Sequence, residues 1–106
     1  MPKFLITVSY TPEGARGVRK EGGSAREQAA RSAAESLGGK VEAFYFSFGD
    51  QDAIVIADFP NAAAAAGLSL AVASSGGARC KTTPLLTSPE MDHAASTKTA
   101  YRAPGQ

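Results

Sequence analysis

The sequence predicts an α+β domain: one four-stranded antiparallel sheet with helices on one face. Three observations lead there. Runs of apolar, β-branched and aromatic residues of strand length occur four times, at 3–10, 40–48, 52–59 and 79–87. Two helical stretches, 24–37 and 62–74, lie between the first and second runs and between the third and fourth. Only Gly49-Asp50-Gln51 joins the second run to the third, which makes that pair a hairpin. The order is βαββαβ with a short helix after it, the ferredoxin-like arrangement.

Each element has a local reason. Lys3–Tyr10 (KFLITVSY) is a strand by composition, and Thr11-Pro12-Glu13-Gly14 stops it. The segment to Gly23 holds four glycines and reads as a loop, with a short helical turn from Pro12. Ser24-Ala25-Arg26-Glu27 has the form of a capping box and opens the first helix, which Gly38-Gly39 ends in a left-handed stop. Its inner stripe (Ala29, Ala30, Ala33, Ala34, Leu37) is small enough to sit close on a sheet, and Glu27, Arg31 and Glu35 mark the outer face. Asn61 caps the second helix, from Ala62 to about Ser74, and Gly76-Gly77 terminates it. Pro84 puts the fourth strand on an edge. Ser88-Pro89-Glu90 then starts a short helix that fades near Ala95. Residues 1–95 read as the domain and 96–106 as a tail.

Size and composition bound the rest. A chain of 106 residues and 10.9 kDa is one domain with a small core. A net charge of +1 gives no reason to expect nucleic acid or a membrane surface as partner. One cysteine and one histidine exclude an internal disulfide and any multi-cysteine or multi-histidine metal site within one chain, and no cofactor is expected. With no secretory signal pattern and no spanning segment, the reading is a cytoplasmic protein.

The strand faces point to a self-partner. Strand two alternates Val41, Ala43, Tyr45, Ser47 against Glu42, Phe44, Phe46, Phe48; strand three alternates Ile54, Ile56, Asp58 against Ala53, Val55, Ala57, Phe59. Both faces of strand three are largely apolar, and strand two adds Val41 and Tyr45 to the second face. Helices on one side leave that face bare, so a second copy packed sheet on sheet is expected to cover it. The second helix carries no charge from Ala62 to Ala78, which predicts cover on its outer side by the tail or another subunit.

Four segments together carry a resemblance: KFLITVSYTPEG, ESLGGKVEAFYFSFG, Gly49-Asp50-Gln51-Asp52 with AIVIADFP behind it, and LLTSPEMDHA. The chain resembles the GYD-domain family of small bacterial proteins. Gly49 and Asp52 match the residues that name the family, and Gln51 stands where its tyrosine is. The resemblance implies the dimeric α/β-barrel form of the ferredoxin-like fold and leaves activity open. Related barrels include cofactor-free monooxygenases, isomerases and haem proteins, an analogy of fold alone.

Several residues are candidates for chemistry, each with a structural reading beside it. Gly49-Asp50-Gln51-Asp52 is a tight turn in which Gly49 takes a costly backbone conformation, or the rim of a site in which Asp52 anchors a ligand or accepts a proton. His93 shares a helix face with Glu90 and neighbours Asp92; it is a solvated side chain, a proton carrier or half of a metal pair. Cys80, between Arg79 and Lys81, is a packed thiol unless those cations activate it. Tyr10 and Tyr45 pack in the core or interface, or line a cavity with Asp52. Arg16, Arg19 and Lys20 sit in a glycine-containing segment whose spacing matches no phosphate loop. The function expected is binding of a small molecule in the barrel cavity. The alternatives are a cofactor-free monooxygenase- or isomerase-like enzyme on a small aromatic substrate, with Asp52 or His93 moving a proton, and a purely structural oligomer.

Overall fold

The computed structural model describes residues 1–47 and 49–106. Four strands, β1 (Lys3–Tyr10), β2 (Lys40–Phe46), β3 (Ala53–Asp58) and β4 (Ala78–Leu85), pair antiparallel in the order β2-β3-β1-β4. Four helices accompany them: α1 (Pro12–Glu21), α2 (Gly23–Ser36), α3 (Ala62–Ser74) and α4 (Ser88–Ala95). The architecture is α+β and consistent with the ferredoxin-like arrangement, with α1 added between β1 and α2. Residues 96–106 carry no helix or strand.

The core lies between the sheet and α2 and α3. Phe4 and Ile6 of β1, Val55 and Ala57 of β3, and Phe59 just beyond it alternate inward to meet Ala34 and Ala65. Phe59 is the largest side chain that is fully buried, and its ring meets the edge of Phe4 at 6.0 Å between centroids. Pro84 lies on an edge strand, as its missing N–H requires. Asn61 caps α3 by accepting from the Ala64 N–H at 2.9 Å.

The sequence reading needs correcting at five places. The segment after Thr11 is a full ten-residue helix, α1, and not a loop with one turn. Thr11 Oγ1 accepts from the Gly14 N–H at 3.1 Å, Pro12 follows the cap, Glu13 sits in the first turn, and Arg19 and Lys20 complement the last. Ser24 is not the cap of α2: the chain passes from α1 to α2 through Gly22 at φ 88, a left-handed conformation that favours glycine, and no side chain caps α2. At α4 the cap is Thr87, one residue before Ser88, in a reciprocal capping box with Glu90. In β2 a bulge between Val41 and Ala43 resets the alternation. Val41 therefore joins the core face with Phe44, while Ala43 and Tyr45 occupy the other face, and Arg31 Nη1 donates to the Val41 carbonyl at 3.1 Å. Phe48, expected in this strand, lies outside the described residues. Finally, the tail does not cover α3 within the chain, because Leu70 on its outer side is 70% exposed.

The second sheet face presents Leu5, Ile54, Ile56 and Tyr45, with Leu5 opposite Ile56 and Tyr45 opposite Ile54, beside the polar Thr7, Ser9, Arg79, Lys81 and Thr83. At one end Lys3 bridges Asp58 at 2.9 Å and Glu42 at 3.0 Å. Every residue of α4 is exposed. Among the described residues no helix is long and apolar enough to cross a membrane.

Candidate functional site

A cavity of about 510 Å³ lies between the core face of the sheet and helices α1, α2 and α3. Its floor is Ile6, Val8 and Tyr10 of β1, Val41 and Phe44 of β2, Val55 and Ala57 of β3, and Ala78 and Cys80 of β4. Its walls are Ala30 and Ala33 of α2 and Leu68, Ala71 and Val72 of α3, and α1 closes it with Gly14, Gly17 and Val18. The space has a simple origin. Alanine and glycine on the helices do not reach the strand side chains, and α1, with no buried residue, roofs the gap without filling it. The alanine stripe of α2, expected to bring helix and sheet together, does so only around Ala34; at Ala30 and Ala33 it leaves room.

The roof is pinned at its start. Thr11 donates from its backbone N–H to the Gly77 carbonyl at 3.1 Å and from its hydroxyl to the Gly76 carbonyl at 2.8 Å. The backbones approach so closely that a Cβ on Gly14 would stand 1.8 Å from the Gly77 oxygen. At the other end Glu21 of α1 pairs with Arg26 of α2 at 3.4 Å, both more than a third exposed, so the pair adds little stability of its own.

Polar groups lining the cavity are few: Tyr10, Glu13, Glu21, Arg26, Ser75 and Cys80. Burial pushes the Tyr10 phenol above its ordinary pKa, the nearby Arg26 opposing this in part, so the hydroxyl keeps its proton. Burial likewise pushes the Cys80 thiol up. Arg79 and Lys81 do not activate it, because in a strand they point to the opposite face.

The residues singled out in the sequence are only partly brought together. Tyr10 lines the cavity. Asp52 sits beside it, but its carboxylate accepts from the Tyr10 backbone N–H at 2.8 Å, while the Asp52 N–H donates to the Val8 carbonyl at 2.8 Å. Asp52 thus fastens the β2–β3 hairpin to the end of β1. Tyr45 is on the other sheet face, 71% exposed, because the pleat and the bulge turn it away from Tyr10. A Cβ at Gly49 would meet no atom within 4 Å, so no close contact demands glycine there.

His93 stands on α4 in a shallow depression with Leu86, Pro89 and Glu90, apart from the cavity. Glu90 is occupied by the cap: its carboxylate accepts from the Thr87 N–H at 2.9 Å, which holds it below the usual carboxylate range. Asp92 is exposed on the same helix. No group of three His, Cys, Asp or Glu among the described residues could hold a metal ion. Arg16, Arg19 and Lys20 are exposed on α1 and do not line the cavity.

Reading the sequence missed Glu13, Gly17, Val18, Glu21 and Arg26 as site residues because it missed the helix that carries four of them. The signal was present: Thr11-Pro12-Glu13 has the same cap, proline and acid as the start of α4. Gly14 and Gly17 masked it by lowering helix propensity.

Compared with curated proteins and with solved structures, the chain gives no match. A family model does match, over residues 4–95, and it spans every strand and helix described above but for the first residue of β1. The chain belongs to the GYD-domain family.

Proposed function

We propose that this protein is a small-molecule-binding domain, working in the cytoplasm as a homodimer. The cavity roofed by α1 carries the reading: it is mostly apolar, of a size typical for small-molecule sites, and has a few polar groups in its lining. The cofactor-free enzyme reading asks for a proton-moving group at that cavity. Asp52 is engaged by a backbone N–H and His93 lies elsewhere, so neither residue expected to move a proton stands ready at the cavity.

The homodimer reading is supported by the second sheet face. Leu5, Ile54 and Ile56, half-buried, and Tyr45, exposed, form an apolar strip, and a second sheet packed against it would bury the strip. Light scattering should give twice the 10.9 kDa chain mass at micromolar concentration. For the ligand, native mass spectrometry of protein purified from its own host should find a retained small molecule. Protein that arrives empty, and whose melting temperature no library of small apolar compounds raises, would remove the binding function.

A further inference from the structure

If the cavity binds a small molecule, as proposed above, its chemistry restricts which. The interior faces of Val8, Val18, Phe44, Leu68 and Val72 offer nothing ionic. Arg26 is the sole cation among the lining residues, and Glu21 already pairs with it at 3.4 Å, with Glu13 a second carboxylate on the lining. An anion moving inside would shed its water without gaining a free positive partner, and two carboxylates would face it. A cation would leave those carboxylates behind as it entered the apolar part. The Tyr10 phenol is different: among the described residues no hydrogen bond reaches its hydroxyl, although its backbone N–H is taken by Asp52. We propose that the cavity takes an uncharged, largely apolar molecule carrying one polar group that hydrogen-bonds to the Tyr10 hydroxyl. A phenol keeps its proton throughout the neutral range, and burial moves Tyr10 further in that direction, so it is available as a donor.

Two probes of one shape separate charge from size: 2-naphthol, uncharged at neutral pH, and 2-naphthalenesulfonate. Both are titrated into the full chain and followed by fluorescence and calorimetry. Naphthol should bind more tightly by more than about tenfold. Tyr10→Phe should weaken naphthol by roughly three- to tenfold, the worth of one hydrogen bond, with the thermal melt unchanged. Gly17→Leu, at a position where a Cβ meets no atom within 4 Å, and Ala33→Leu should each abolish binding by filling the space. Sulfonate binding as tight as naphthol, and blocked by the same two variants, overturns the uncharged class and leaves the cavity as a binding site. Unchanged naphthol binding in Tyr10→Phe overturns the hydrogen-bonding role of the phenol. Naphthol binding untouched by both filling variants, or no binding of either probe at millimolar concentration, overturns the cavity reading and this proposal with it.

Discussion

The two faces of the sheet meet opposite fates: one is largely apolar, and the other sets an apolar strip beside Lys3, Thr7, Ser9, Asp58, Arg79, Lys81 and Thr83. On one, Phe4, Ile6, Val55 and Phe59 are buried under α2 and α3, and the same face continues under α1 as an open cavity. On the other, Leu5, Ile54 and Ile56 are only half-buried and Tyr45 is exposed. The difference teaches that apolar character along a strand says how much surface wants cover, not what supplies it. One face is covered by the chain's own helices, tightly around Ala34, Leu37 and Ala65 and loosely at Ala30, Ala33 and Gly17 along the cavity.

The largest loss of stability is expected at Phe59. Phe59→Ala should cost about 3–5 kcal/mol, read from denaturant unfolding, because the ring is fully buried and its neighbours cannot collapse into the gap. On the second face, Ile56→Lys should leave the fold standing and convert the proposed dimer to a species of 10.9 kDa by light scattering; a wild type that is already monomeric would end the view that this face is an interface.

Smaller effects sharpen the cavity side. Gly14→Ala places a methyl against the Gly77 backbone, which cannot give way as a side chain would. The roof helix should lift at a cost of about 1–3 kcal/mol, with faster hydrogen exchange over residues 12–21 and little change in the core strands. Asp52→Ala strips the acceptor from the Tyr10 N–H and should cost about 1–3 kcal/mol, the penalty of an unpaired donor. Asp52→Asn, which keeps an acceptor, should recover most of that loss. Equal losses in both variants would show that the charge matters rather than the hydrogen bond.

The smallest effect concerns α4. The Thr87 backbone N–H, and then its hydroxyl, hold the Glu90 carboxyl below its ordinary value. A depressed carboxylate contributes stability above its unfolded pKa and loses it as the pH falls through the folded one. Exchange over residues 88–95 should therefore quicken on acidification below the ordinary glutamate range, and Glu90→Gln should flatten that dependence. An exchange profile independent of pH, after correction for intrinsic rates, would remove the cap from the account.

α1 and α4 teach how far local signals carry. Both begin with a threonine cap followed by proline and glutamate. At α4 the pattern reads as a helix because helix formers follow; at α1, Gly14 and Gly17 outweigh it. Gly14 has a tertiary reason, since it lets the helix touch Gly77; at Gly17, which lines the cavity, a Cβ would meet no atom within 4 Å. Propensity counts their cost and has no view of the contact that offsets it.

Local sequence was enough for the four strands, the hairpin, helices α2 and α3 and the edge position of Pro84. Alternation, stop residues and side-chain direction within a strand are local properties, readable within a few residues. Tertiary structure decided which face each side chain reached, because the bulge at Val41 and Ala43 moved every later residue of β2 by one place. It also separated Tyr10 from Tyr45, assigned the Asp52 carboxylate to a backbone N–H, and opened the cavity under α1. A void forms where side chains from three helices and a sheet fall short of one another, and no single segment contains that distance.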